Sequence, residues 1–173
     1  MEQFLNIIKT RRSVRKYKEE QIRPEELDAV LEAGMYAPSG RGMQAAVIVA
    51  VQNKEVICSL SKMNAQIFGV ETDPYYGAPT VVLVFADPSR STYVEDGSCV
   101  LENMMLEAHA LGLATCWVHR EREMFESEEG KAWMKQWGLD LDLKGIGAVA
   151  LGYPDGEPRP AAERKDGYVV KVL

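Results

Sequence analysis

Val94-Glu-Asp-Gly-Ser-Cys-Val100-Leu-Glu-Asn-Met-Met-Leu-Glu-Ala-His-Ala-Leu111 runs into Gly112 and then into Leu113-Ala-Thr-Cys-Trp-Val118. Val94, Leu101, Met104, Met105, Ala108 and Leu111 form one helical stripe, and Val100, Leu106 and Ala110 widen it. A helix that is apolar over most of its surface belongs at the centre of a domain. Gly112 ends it, because glycine adopts the left-handed conformation of a helix C-terminus without steric cost. Residues 115–118 then read as a short strand beside the helix.

Working outward, Ala46 to Val51 and Gly145 to Gly152 are continuous apolar runs, and Thr80 to Ala86 is rich in β-branched residues. All three read as buried strands. Tyr168 to Val172 reads as a last one. Phe4, Ile7 and Ile8 are spaced for a first helix, and Pro24-Glu-Glu opens a second with proline at its first position and acids in its first turn. Residues 53–68 and 124–137 read as further helices. Glycine and proline make loops of residues 37–44 and 69–79. Strands and helices intermix without a strict βαβ rhythm, so the expected fold is an α+β sandwich, a central mixed sheet flanked by helices, over a single domain spanning residues 1–173.

The chain has 173 residues with formal net charge -6. That balance argues against nucleic acid as a partner. No apolar run is long enough for a membrane span and the start carries no secretory signal pattern, so no membrane partner is expected. Cys58, Cys99 and Cys116 are far apart and make neither a metal spacing nor a redox pair. A reducing, cytoplasmic setting is expected. With His109 and His119 as the only histidines, no metal site is expected.

Against the acidic background stands Lys9-Thr-Arg-Arg-Ser-Val-Arg-Lys-Tyr17. Arg11, Arg12, Ser13 and Arg15 can grip a phosphate through charge-assisted hydrogen bonds, each worth roughly 1.5–3 kcal/mol. The plainer reading is a solvated basic helix end. Arg164-Lys165, after the proline-rich stretch 152–160, could close on the same anion. Pro38-Ser-Gly-Arg-Gly42 offers a small-residue loop that a flat ligand can approach closely. Cys116 lies in an apolar run and reads as a packed core cysteine before a nucleophile. His119 reads as a surface residue or as a ligand contact. No dinucleotide fingerprint, phosphate loop or nucleophile elbow occurs.

The ordered set resembles the flavin-dependent nitroreductase family, in its short, minimal branch. The resemblance rests on Arg11-Arg-Ser-Val-Arg15, Ala37-Pro-Ser-Gly-Arg-Gly-Met-Gln44, Ala78-Pro79 before a strand, Ala110-Leu-Gly-Leu-Ala-Thr-Cys-Trp117, and Gly152-Tyr-Pro154 followed by Arg164-Lys165. It implies a homodimer with FMN at the subunit interface. Arg11, Arg12, Ser13 and Arg15 would hold the phosphate and ribityl chain, and Arg164 and Lys165 would return to the phosphate. Pro38, Ser39 and Gly40 of the partner's loop, with Gly42 and Gln44, would pack on the flavin. Cys116, Trp117 and Val118 would lie along its ring. Gly42 stands where the family usually has asparagine, and His119 where it usually has glycine.

The implied activity is reduction of nitroaromatics, quinones or a related electron-poor small molecule, with NADH or NADPH as donor, in ping-pong fashion. The flavin carries the redox chemistry, so no side chain is named as catalytic. Phe68, Tyr75, Tyr76 and His119 are the expected substrate contacts. Residues 63–77 read either as a mobile wall for a flat acceptor or as cover for the core. A specialised reductive enzyme such as an aromatic dehalogenase, and a flavin-storage module without turnover, are the competing readings.

Overall fold

The computed structural model describes residues 2–173. The chain opens with α1 (Glu2–Thr10) and α2 (Pro24–Met35), then a 3₁₀ turn (Gly40–Gly42), β1 (Ala46–Val51) and α3 (Lys54–Phe68). It continues through β2 (Thr80–Ala86), α4 (Tyr93–Ala110), β3 (Ala114–Val118), α5 (Glu121–Glu126), α6 (Glu128–Gln136) and β4 (Lys144–Gly152). The strands form one sheet in the order β1-β2-β4-β3.

Helices cover both faces of this sheet, which is why its central strands are apolar in continuous runs, Val81–Ala86 and Gly145–Gly152, rather than at alternate positions. All seven residues of β2 are buried. Val81, Leu83, Phe85, Ala148 and Ala150 pack on one side with Leu60, Met63, Met124 and Met134 from α3, α5 and α6. Val82, Val84, Val149 and Leu151 pack on the other with Val30 of α2 and with Val100, Leu101, Met104 and Ala108 of α4. The middle of the 94–111 stripe, Leu101, Met104, Met105 and Ala108, is therefore core of the second layer, while Val94 and Leu111 at its ends are exposed.

Pairing slips between Val84 and Phe85, which face Gly147 and Gly145 and leave Ile146 as the extra residue of a bulge. The flanking glycines admit close neighbours on opposite faces. A Cβ at Gly145 would stand 2.5 Å from the main chain of Glu121, and one at Gly147 would stand 2.6 Å from the Trp117 indole nitrogen.

Three expectations are corrected. Pairing within the four strands is antiparallel throughout, and the one parallel pairing among the described residues is an isolated bridge between Ser13 and Thr115. The helix expected over 124–137 starts at Glu121 and breaks at Ser127, whose backbone is extended and whose Oγ accepts from Gly130 N at 3.1 Å to start α6. Residues 168–172 form no strand: Tyr168 to Leu173 is an exposed tail, and β propensity alone does not make a strand without a neighbour to pair with. No helix among the described residues is long and apolar enough to cross a membrane.

Candidate functional site

The basic cluster begins where α1 ends. Arg12 turns one guanidinium nitrogen back onto the helix, donating to Lys9 O at 2.8 Å and also to Arg11 O. The chain then runs extended along β3, with Val14 N donating to Thr115 O at 2.9 Å. Tyr17 anchors this run from beneath: its hydroxyl donates to Val14 O at 2.7 Å and to Ala150 O at 3.1 Å. Burial of the ring pushes that phenol far above its usual range. With Tyr17 held inward, Ser13 and Arg15 remain on the surface.

Arg11 Nε stands 4.0 Å from Glu102 of α4. Its Nη1, and Nε of Arg12, are buried with no hydrogen-bond partner. A buried donor without an acceptor costs about 1–3 kcal/mol, more when it is charged. His109, at the C-terminal turn of α4, joins this corner through a 2.8 Å contact between its Nε2 and Thr10 Oγ1. Burial, then the charges of Arg11 and Arg12, hold its imidazole below the usual range, so positive charge here is left to the arginines.

Cys116 is buried in the core of β3. Burial pushes its thiol up, while Arg15, a hydrogen bond from Ser13 and Arg11 act in the opposite sense. The cysteine thus sits under the cluster as a packed core residue. Trp117 is half-buried on the opposite face, and Val118 is buried.

The loop 37–44 is held at the other end of α4. Gly40 N donates to Asp96 Oδ1 at 2.9 Å, and Gln44 N to Ser39 Oγ at 3.0 Å. A Cβ at Gly40 would lie 2.3 Å from Thr92 Oγ1, so the loop seats closely on the start of α4 and a larger residue would have to displace the Thr92 side chain. Arg41, Gly42 and Gln44 all have positive φ. Pro38, Ser39 and Gln44 line a cavity of about 390 Å³, with Leu31, Ile48 and Asp96 behind them. Asp96 and His109 mark the two ends of α4, roughly 20 Å apart at about 1.5 Å per residue. Within one chain, therefore, the loop and the basic cluster do not meet. Nor do Arg164 and Lys165 join the cluster: Arg164 donates to Ala162 O, and Lys165 lies over the Tyr168 ring at 5.5 Å.

Beyond β3 the expected acceptor wall is divided. Phe68 is 57% exposed at the end of α3, Tyr76 is 38% exposed with φ 58°, and His119 is exposed. The Arg15 guanidinium lies 5.7 Å from the Tyr76 ring, and hydrogen bonding to the Tyr76 side chain raises the arginine pKa further. Tyr75 is corrected: it is fully buried, with its hydroxyl 3.4 Å from Glu121 Oε1. Asp73 ties down the whole turn, its carboxylate accepting from Ser61 Oγ, from Tyr75 N at 2.8 Å and from Gly77 N at 2.6 Å. Met63 is buried within α3.

Three residues at this end were not singled out from the sequence. Asn64 is fully buried and clamps the turn after β3, donating to His119 O at 2.9 Å and accepting from Arg120 Nε at 2.8 Å. Arg120 takes φ 90° and lies 4.0 Å over the Phe68 ring. Glu121 is buried beside Gly145 with one carboxyl oxygen unpartnered, and burial pushes its pKa up to about 8. Asn64 carried a signal: a polar residue one helical turn after Leu60, on the core-facing stripe of α3.

The layered α+β fold, the basic corner on β3 and the glycine-bearing loop define a class of protein. The profile of the Nitroreductase family matches residues 8–75 and 69–153, and the chain belongs to that family. A protein of Archaeoglobus fulgidus that carries the provisional name NADH dehydrogenase/NAD(P)H nitroreductase is 33% identical over 165 residues, covering 91% of this chain and 88% of its own. A nitroreductase of Bacteroides fragilis, solved with bound FMN, superposes with a TM-score of 0.92 at 34% identity over 98% of each chain. One from Desulfitobacterium hafniense, also solved with bound FMN, gives 0.88 at 26% identity over 99% of this chain and 100% of that one.

Proposed function

We propose that the protein is an FMN-dependent oxidoreductase that takes electrons from NADH or NADPH and passes them to a nitroaromatic, a quinone or a related electron-poor small molecule. The observation that carries this reading is the pair of buried guanidinium nitrogens, Arg11 Nη1 and Arg12 Nε, left without acceptors. A phosphate supplies acceptor oxygens, and the exposed Ser13 hydroxyl and Arg15 guanidinium stand next along the chain. The residues present thus fit the phosphate end of FMN, the group bound in the two relatives described above. When bound, FMN supplies the acceptor for a hydride from the nicotinamide and the donor of two electrons to the second substrate.

The chain's own part is to position and to exclude water. Tyr17 and the pairing to Thr115 fix the cluster against β3. The β3 segment of Cys116, Trp117 and Val118 would follow the ring with its main chain, since Cys116 and Val118 turn their side chains into the core. The glycine-bearing loop of Pro38, Ser39, Gly40, Gly42 and Gln44 forms the opposing wall, contributed by a second copy. The roughly 20 Å that separates loop and cluster within one chain supports a dimer, in which one copy's loop meets the other's cluster. It is supported by apolar side chains that the fold leaves uncovered: Phe4 at 62%, Met35 at 70% and Tyr36 at 79% exposure. Arg164 and Lys165 lie on the exposed tail, and only a movement of that tail would bring them to the phosphate.

Three measurements test this reading. The purified protein should be yellow with a flavin absorption spectrum, and it should oxidise NADH or NADPH in the presence of a nitroaromatic or quinone with parallel double-reciprocal plots. A flavin-loaded protein that oxidises neither nicotinamide would leave only the storage reading. Light scattering should give twice the 19.3 kDa chain mass. A stable FMN-loaded monomer contradicts the shared site.

A further inference from the structure

We propose that Arg120, stacked on Phe68 and clamped by Asn64, makes the acceptor subsite selective for flat electron acceptors that carry an anionic group, such as a carboxylate or sulfonate. This inference rests on the flavin oxidoreductase reading above, because it takes the end of β3 as the place where the acceptor lies.

Four features of the structure combine here. Arg120 follows β3 by two residues, so it stands just beyond the end of the strand that carries Cys116, Trp117 and Val118. Its Nε is engaged by Asn64 Oδ1 at 2.8 Å, which fixes the plane of the guanidinium and leaves the two terminal nitrogens available. No carboxylate lies within ion-pair distance of it among the described residues. Its neighbour Glu121 is turned into the core and makes no ion pair with it, and burial disfavours the charged form of that carboxyl.

The backbone agrees. A non-glycine residue at φ 90° is strained, and such strain persists where the surroundings over-determine it. Here Asn64 holds both His119 O and Arg120 Nε from a fully buried position. The cation sits 4.0 Å over an exposed aromatic ring. A planar acceptor can lay its ring against the exposed edge of Phe68 and present an anionic substituent to the guanidinium fork, a planar, bidentate match that lysine does not offer.

The test uses the FMN-loaded protein with 4-nitrobenzoate and 4-nitrobenzamide, which share the reducible group and differ in charge. Wild type should favour the carboxylate in kcat/KM by about tenfold or more, the order expected of one charge-assisted hydrogen bond. Arg120→Met should lower kcat/KM for nitrobenzoate by roughly tenfold to a hundredfold through KM, and leave nitrobenzamide within about twofold, at unchanged FMN content. Arg120→Lys should fall between. Equal kcat/KM for the pair in wild type, or equal loss of both in Arg120→Met, overturns the proposal. The wild-type comparison decides even if the methionine variant does not fold. Calorimetric binding of benzoate against benzamide to the same protein needs no turnover. Arg120-dependent binding of benzoate in a protein that reduces no acceptor keeps the subsite and rejects the oxidoreductase reading. Turnover without charge preference does the reverse.

Discussion

Tyr75→Ala is expected to cost the fold roughly 3–5 kcal/mol, the range for deleting a buried aromatic. Tyr75 is fully buried between α3 and α5, and its hydroxyl faces Glu121 and the Met124 sulfur. Its neighbour Tyr76 and the nearby Phe68 are partly exposed, so their alanine variants should stay within about 1 kcal/mol of wild type while changing the Michaelis constant for the acceptor. Urea unfolding of the three variants, read beside their acceptor kinetics, separates the two behaviours. Wild-type stability in Tyr75→Ala would mean that residues 69–79 are a loose lid rather than a turn tied down by Asp73.

Glu121→Gln is expected to change how stability depends on pH. Burial raises the folded-state pKa of Glu121 from an ordinary 4.5 to about 8. The folded protein therefore keeps this proton in a range where the unfolded chain has lost it. The stabilisation is fully present below about pH 4.5 and is lost as pH rises through about 8, with a slope of at most about 1.4 kcal/mol per pH unit. Above that range wild type must either bury a charge or open the contact with Tyr75. Glutamine carries no proton to lose, so the variant should be more stable than wild type at pH 9 and should show a flatter profile between pH 5 and 9. Unfolding curves at pH 5, 7 and 9 check this, and parallel profiles for the two proteins would remove Glu121 as the titrating group.

Much of the fold was legible because its signals are local. The apolar runs at 46–51 and 80–86 became β1 and β2 within the expected bounds. Asn53 caps α3 through two main-chain donors, and Gly69 ends it in the left-handed conformation. The break at Ser127 was hidden because helical residues stand on both sides of it, and the close packing of Gly130 on the main chain of Met124 and Phe125 at the kink leaves no mark in the pattern. The tail at 168–172 has strand composition, but pairing depends on a neighbour that composition does not reveal.

The site was legible where charge stood out from its surroundings and illegible where packing decided. Arg11 to Arg15 are conspicuous in an acidic chain. Tyr75 and Tyr76 are adjacent in an irregular turn without a period, so nothing local tells the buried ring from the exposed one. Arg120 reads in sequence as one charge among Arg120-Glu-Arg-Glu123, and the contacts that place it are to Asn64 and Phe68, more than fifty residues earlier. The separation of the loop from the basic cluster is set by the length of α4 and the way its two ends are used.

The central claim is that the N-terminal arginines hold a flavin by its phosphate. Fluorescence titration of flavin-free protein with FMN and with riboflavin, which differ only in that phosphate, tests it most directly in wild type, Arg11→Ala and Arg15→Ala. Wild type should bind FMN far more tightly than riboflavin, and each substitution should weaken FMN by roughly tenfold to a hundredfold while leaving riboflavin nearly unchanged. Equal affinity for the two ligands in wild type, or equal loss of both in the variants, would contradict the account.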